Sequence, residues 1–507
     1  MMPRWTFIAI ATALVGCDGT SSRQCVEEVS QTRYAQVLSF IQRDNALWLS
    51  SRRALLAAKF CKMAGSTPAC LTFGASSGLM PDLPSRDNPY NFMRGTVGLF
   101  YEDIARIGVY PRFPTQMLND PNAAQVMLVV DPHPENMGTA FRQNVDTRGI
   151  VLPEDFTLEW FDFDAASYGP YTLDLRRAAL GLAAYGRSVR ACDNRCMGKM
   201  ADGMTRTYIN TLASIARGEA ALSPQPGTII EALVKKAIRD GDALEKLVEN
   251  TVAGSDFTRL KFSGRPFDGL VQPTPAEWRD IRRLADQYKA KRSTETLELL
   301  DAARRYGQGV SSLPAPRYIM LWRRSFASGA AETFMLNVRM VIDPAFMPDL
   351  PLRVNGLFQS NVERLHTVST RLWSTAYTDR NFEALRLGPT TYKALTWSAY
   401  NKDFAHDKLQ KAFDRGATVD DLVAVGRWVG YTLASAHTNG QRSDGGDSLK
   451  SLVRDIAGRE QRLVDEIRTT QYYDYERLIA DHLTFQCILA NEGVLAGLDQ
   501  IGIDQDP

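Results

Sequence analysis

Two stretches decide how this chain is read: Val129–Gly138, VVDPHPENMG, and Trp160–Pro170, WFDFDAASYGP. The apolar run from Ala124 to Val130 (AQVMLVV) predicts a buried strand that ends at Asp131, with His133 and Asn136 in the loop beyond it. A second predicted strand, Phe156 to Phe161, delivers Asp162 and Asp164. Carboxylate and amide oxygens gathered at strand ends suit a hard cation such as Mg²⁺, which usually shares its ligands with phosphate oxygens. Phosphoryl transfer asks for the same kit: a carboxylate to orient an acceptor hydroxyl, and an amide plus a carboxylate to hold metal against phosphate. A plainer account makes Asp162 and Asp164 a capped turn, and Asp174 with Arg177 an ion pair along one helix.

Working outward, Asn91–Ile107 and Leu173–Tyr185 carry helical periodicity, and Met200–Lys289 is mostly helical with turns near Pro224–Gly227 and Pro273–Pro275. Upstream, Val26–Lys62 is helix-like and Gly65–Asn91 is rich in turn residues. The character then changes. Arg317–Arg323 (RYIMLWR) and Thr333–Ile342 (TFMLNVRMVI) are β-rich and flank Ser328-Gly329, which predicts a hairpin. From Asn361 to Leu498 the pattern is helical again, broken at His437–Asp447. The fold class expected is α+β, predominantly helical. Trp322, Trp373, Trp397 and Trp428 are expected in the core, and His437 on an apolar helix face as a satisfied structural histidine. With Lys+Arg 59 against Asp+Glu 58, the charge balance offers nothing to a nucleic-acid backbone.

The N-terminus reads MMPRWTFIAIATALVGCDGT. Arg4 precedes a short apolar stretch, far below the roughly 20 residues a permanent span needs. Leu14-Val15-Gly16-Cys17 then resembles a lipobox, so residues 1–16 are expected to be a lipoprotein signal peptide and Cys17 the acylated anchor to a lipid bilayer. The expected location is the cell envelope, facing out of the cytoplasm (the periplasmic side of a membrane in a Gram-negative cell). Of the seven cysteines, Cys17 aside, Cys61/Cys70 and Cys192/Cys196 are the preferred local disulfides, leaving Cys25 and Cys487 as a third pair. A zinc site is the rival use of these residues.

The spacing D-x-H-x-x-N followed by a D-F-x strand resembles the catalytic and metal loops of kinase-like phosphotransferases, the aminoglycoside phosphotransferase type above all. NPYNFMRG (88–95), DPHPENMG (131–138), FDFDAASYGP (161–170) and LDLRR (173–177) together resemble the ordered motifs of the bacterial family called domain of unknown function 2252, DUF2252. GQGVSSL (307–313), the strand at 334–340, Glu363-Arg364-Leu365 and TLASAH (432–437) extend the likeness over roughly 85–480. The resemblance implies Asp131 as catalytic base, with His133 beside it holding the loop, and Asn136, Asp162 and Asp164 as metal ligands. It implies Asp174 as a brace for the loop. Arg94, Gly307, Gly309, Arg339 and Glu363 become the cofactor-binding candidates, Arg339 standing where a nucleotide-gripping lysine is usual and pairing with Glu363. Mg²⁺ and an ATP-like nucleotide are the cofactors implied, with an unidentified small-molecule or protein acceptor.

The order of these pieces is unusual, since the Gly307 loop follows the catalytic loop instead of preceding it. A circularly permuted protein-kinase-like fold results. Its expected parts are an N-terminal helical and linker region at 17–85, a catalytic-loop lobe at 86–299, a small β lobe at 300–400 and a C-terminal helical region at 401–507. Two positions depart from the pattern: Val130 stands where glycine is usual before the aspartate, and Arg339 where lysine is usual. An exported ATP-dependent enzyme would also need a local nucleotide source or another phosphate donor. Two further classes of function therefore stand beside the phosphotransferase, a metal-dependent hydrolase and a non-catalytic kinase-like scaffold.

Overall fold

The computed structural model describes residues 31–49, 88–105, 116–120, 122–141, 156–239, 245–263, 269–305, 316–341, 358–373, 379–397, 402–439 and 447–491. The fold is α+β and mainly helical. In chain order, a large lobe opens with α1 (Gln31–Leu49), α2 (Pro89–Gly95) and α3 (Val97–Ala105). Short strands follow: β1 (Gln125–Leu128), β2 (Met137–Phe141), β3 (Phe156–Trp160) and β4 (Ser167–Pro170). β1 pairs antiparallel with β4, and β2 with β3. Next come α4 (Tyr171–Gly186), α5 (Asn194–Ala216), α6 (Gly227–Arg239) and the short α7 (Glu245–Asn250).

α4 is buried along its whole length, Asp174, Arg176 and Arg177 included. A helix with no solvent face must partner those charges internally. Its packing sets the site, because the loop after β1 rests on Gly181, where a Cβ would stand 2.9 Å from His133 Cβ. At the start of α5, Asp193 accepts the Cys196 N–H at 2.9 Å, and Cys192 and Cys196 are joined as a disulfide. The other expected cysteine pairs fall on residues outside those described, as does the side chain of Cys487.

The second lobe is one antiparallel sheet of order β5-β6-β7-β8-β10-β9. It contains β5 (Leu270–Val271), helix α8 (Pro275–Lys291), β6 (Thr296–Arg305), β7 (Arg317–Ser325), β8 (Ala331–Met340), helix α9 (Asn361–Leu372), β9 (Glu383–Leu387) and β10 (Thr390–Thr396). Thr274 and Glu277 form a capping box at the start of α8. That helix packs Ile281, Leu284, Ala285 and Tyr288 on one face of the sheet. Hence the sheet lobe starts before residue 300, which itself lies inside β6.

The hairpin expected around Ser328-Gly329 forms as β7–β8, with Gly329 at φ +81°. The helical pattern expected throughout 361–498 does not hold, because Glu383–Leu387 and Thr390–Thr396 are strands turning at Gly388. Here β-branched Thr390 and Thr391 and a Gly-Pro turn outweigh the periodicity of the helices on either side.

The chain then returns to the large lobe through α10 (Leu409–Phe413), α11 (Val419–Asn439), α12 (Ser448–Ile456) and α13 (Glu460–Asn491). α11 lies against α5 so closely that a Cβ on Gly430 would stand 2.1 Å from Met204 O. No described helix is long and apolar enough to cross a membrane.

Candidate functional site

β1 delivers the chain to a strained residue. Val130 has φ +73°, a left-handed conformation that a β-branched side chain rarely adopts. Such strain costs about 1–3 kcal/mol and persists only where the surroundings over-determine it. Here they do. The fully buried Asp174 carboxylate accepts the Val129 and Val130 N–H groups at 2.7 and 2.8 Å. The Tyr101 hydroxyl donates to Val130 O at 2.5 Å. On its other side Asp174 meets His437 Nε2 at 3.0 Å, and His437 Nδ1 meets the Tyr208 hydroxyl at 2.8 Å. His437 is thus a fully buried, satisfied histidine that supports the brace.

The strained turn sets out Asp131. Arg177 holds its Oδ1 at 2.9 Å and donates to Met93 O at 2.8 Å, so Asp174 and Arg177 serve different parts of the loop and do not pair with each other. His133 sits beneath, 2% exposed, with Nε2 3.5 Å from Asp131 Oδ2 and Nδ1 3.2 Å from the Tyr90 hydroxyl. Burial pushes its imidazole down to about 4, so it is neutral at pH 7. Asn136 donates from Nδ2 to Asp131 O at 2.9 Å and accepts the Phe161 N–H on its carbonyl at 2.9 Å. This one residue therefore ties the Asp131 loop to the residue preceding Asp162, and among the described residues its Oδ1 carries no hydrogen bond. Arg94 is turned to Glu135 at 2.5 Å. Against the penalty of burial, Arg94 and His406 hold that carboxylate down to about 2. Arg94 thereby fixes the loop from outside and does not reach Asp162 or Asp164.

The carboxylates after β3 face the sheet lobe. Lys393 Nζ reaches Asp162 Oδ1 at 3.0 Å and also pairs with Asp164. Arg339 Nη2 lies 3.1 Å from Asp162 and 3.8 Å from Asp164. Burial alone would raise both carboxyls. Arg339 and Lys393 outweigh it at Asp162 and hold that group well below the usual carboxylate range, while Asp164, beside a charged Asp162, is pushed up. Arg339 and Lys393 are direct cross-strand partners, and Arg339 is equally opposite Arg317. Side chains at opposed positions share a face, so three cations line up across β7, β8 and β10. Burial, then Arg339 and Arg305, push the Arg317 guanidinium down to about 9, which leaves it charged at neutral pH. Arg364 completes the junction: its guanidinium donates to Ala166 O and Asp164 O at 2.5 and 2.6 Å and clamps the Asp162 turn from α9.

A family described as "Uncharacterized protein conserved in bacteria (DUF2252)" matches residues 86–486. The chain belongs to this family. No curated protein and no solved structure matches it. The matched span takes in the sheet lobe, the large lobe apart from α1 and the end of α13, and every residue of the cluster just described.

Within this DUF2252 chain, Asp131, His133 and Asn136 come together in one loop, and Asp162, Asp164 and Arg339 in one ion-pair cluster joined to it through Asn136. Glu363 does not pair with Arg339. Its carboxylate accepts the Gln359 N–H at 2.7 Å at the start of its own helix, where the Ser360 hydroxyl accepts the Glu363 N–H at 3.2 Å. A helix-capping acid serves the helix terminus, so the neighbouring Arg364 is the α9 residue that reaches the site. Gly307, Gly309 and Cys17 lie outside the described residues. Sequence reasoning missed Lys393, Arg317 and Arg364. The Gly388-Pro389 turn between two alternating stretches was the available signal for the strand carrying Lys393.

Proposed function

We propose that this chain is a kinase-like phosphotransferase, dependent on Mg²⁺ and a nucleotide, whose small lobe follows the catalytic loop in sequence. The observation that carries this reading is Lys393, a buried strand lysine that, with Arg339, spans two carboxylates immediately after a D-x-H-x-x-N loop. In this arrangement Lys393 and Arg339 would turn from Asp162 and Asp164 to the phosphate oxygens of the donor.

The donor chemistry suits Mg²⁺, since Asp162, Asp164 and the Asn136 amide are hard oxygen ligands. Magnesium characteristically leaves its remaining positions to water and phosphate oxygens. Bound there, the ion would neutralise charge developing on the transferring phosphoryl group.

Asp131 would orient and accept the proton of the acceptor hydroxyl, its position fixed by Arg177 and by the strained Val130 turn. His133, neutral and buried, would hold that loop without exchanging protons at pH 7. The proposal includes the lipid anchor at Cys17 and a place at the cell envelope, supported by the sequence pattern around that cysteine.

A thermal melt tests the core of this reading. A nucleotide with Mg²⁺ at about 100 Kd should stabilise the folded chain by about 2.7 kcal/mol, and Asp162→Ala or Lys393→Met should remove the shift. A wild-type chain indifferent to every nucleotide–Mg²⁺ pair, or an undiminished shift in Asp162→Ala, would end the proposal.

A further inference from the structure

We infer that Arg317 extends this cleft into a second anion subsite, so that the ligand it takes is a linear chain of linked phosphoryl groups and not a single phosphate. The inference deepens the proposed function, since it names the anion class that the same cleft accepts.

It rests on a contrast among the buried arginines. Six described arginines are exposed by 9% or less: Arg176, Arg177, Arg304, Arg317, Arg324 and Arg364. Five have evident partners. Arg176 pairs with Asp474 at 2.7 Å, Arg177 with Asp131 at 2.9 Å, Arg304 with Glu277 at 3.4 Å and Arg324 with Glu295 at 2.7 Å, while Arg364 spends its donors on Asp164 O and Ala166 O. The Arg317 guanidinium has no ion pair or hydrogen bond among the described residues. Its cross-strand partner is another cation, Arg339. Desolvating a cation costs several kcal/mol, and like charges directly opposite on a sheet destabilise it further. Among the described residues only the pull of Asp162 and Asp164, beyond ion-pair distance, offsets this cost, so the guanidinium's donors stay open to an anionic ligand.

The geometry gives that ligand a shape. Asp162 and Asp164 bring two negative charges to Arg339 and Lys393, so Arg317 leaves the cluster with one positive charge in excess. The Arg339 Nε also lacks a hydrogen-bond partner, which leaves one of its donors unspent. Adjacent strands lie about 4.8 Å apart, so the backbones of Arg317 and Lys393, two strands apart, are roughly 9–10 Å from each other. A chain of phosphoryl groups can engage both ends of such a row. One orthophosphate engages only part of it. Extending the register one strand further sets Arg305 beside Arg317, with its guanidinium 5.0 Å from the Trp397 ring centroid. The basic row therefore continues away from the carboxylates.

Titration calorimetry and thermal melts on the full chain test this with orthophosphate, pyrophosphate, tripolyphosphate and ATP as probes, on the wild type, Arg317→Met and Arg317→Lys. Tripolyphosphate should bind the wild type more tightly than pyrophosphate, and pyrophosphate more tightly than orthophosphate. Arg317→Met should melt higher than the wild type without ligand, because it removes an unpaired buried charge. It should also lose at least about ten-fold in affinity for tripolyphosphate or ATP, equivalent to about 1.4 kcal/mol. Which of the two is lost distinguishes an inorganic chain from a nucleotide's. Arg317→Lys should retain most of the binding.

A purely structural Arg317 predicts the opposite sign, a lower melting temperature in Arg317→Met with every affinity unchanged, and that result overturns the inference. So does equal binding of orthophosphate and tripolyphosphate. Either failure is distinguishable from failure of the proposed function, which rests on the nucleotide–Mg²⁺ shift and its loss in Asp162→Ala.

Discussion

Replacing Val130 should reverse the usual ranking of alanine and glycine. Val129 and Val130 are adjacent and equally buried, at 1% and 0% exposure. Both donate their N–H to Asp174, and only Val130 has a positive φ. Burying a valine side chain is worth roughly 1.5–3 kcal/mol, and glycine adds roughly 0.5–1 kcal/mol of backbone entropy cost. Val129→Gly should therefore cost about 2–4 kcal/mol, with Val129→Ala milder. At Val130 glycine gives back about 1–3 kcal/mol of strain, so Val130→Gly should cost about 1 kcal/mol. Val130→Ala keeps the strain while losing the packing, and should be the worse of the pair. Urea denaturation at constant m-value reads all four variants. If glycine is as costly at 130 as at 129, or alanine beats glycine at both positions, the turn is not strained and Asp174 does not hold the Asp131 loop against strain.

Acid should weaken the fold in two steps. His133 titrates at about 4 in the folded chain against an ordinary 6.5, so its contribution is complete above pH 6.5 and declines as pH falls to about 4, by roughly 3 kcal/mol in all. Glu135, held down to about 2, adds stability above pH 4.5 that is lost as pH falls further. A urea midpoint followed from pH 8 to 3 should show both limbs, and His133→Gln should flatten the first. On α9, Glu363→Gln should cost under about 1 kcal/mol as a weakened cap and leave any nucleotide-induced shift intact, whereas Arg364→Met should abolish it; equal effects on ligand binding would contradict the assignment of Arg364 as the clamp. Gly430→Ala should lower stability by about 2–3 kcal/mol or more through overpacking against Met204, visible as a lower melting temperature, and a neutral result would show that α5 and α11 can move apart.

Much of the large lobe is legible in the sequence because its signals are local. An apolar run ending in an aspartate gives β1 and Asp131, and a second run gives β3 with Asp162 and Asp164. The apolar stretch from Leu173 gives α4. What stays hidden is what depends on pairing across distance. Lys393 is ordinary in its own stretch and gains its role only from lying opposite Arg339 on a neighbouring strand, 231 residues from Asp162. Arg317 is likewise inconspicuous until the register sets it against another cation. Glu363 looks like an ion-pair partner because it is acidic and opens a helix, and that same place at a helix start commits its carboxylate to the backbone. The odd valine before Asp131 is visible as a departure, but only the torsion angle and its three supporting bonds show how the chain tolerates it.

The sheet lobe is inserted within the large one, and this bears on how the molecule comes to be. Strands β5 to β10 and α8 draw on one continuous run, whereas the large lobe closes only when helices from the far end of the chain return to it. The imidazole that meets Asp174 belongs to a residue 263 positions later. At about 5–20 residues per second on the ribosome, that support arrives on the order of tens of seconds after Asp174 emerges. A nascent chain thus passes through a stage in which the inserted lobe can already be complete while the loop bearing Asp131 lacks its final support, and truncation between β10 and α11 would leave a molecule that owns every acidic residue of the site but lacks the helix that props it.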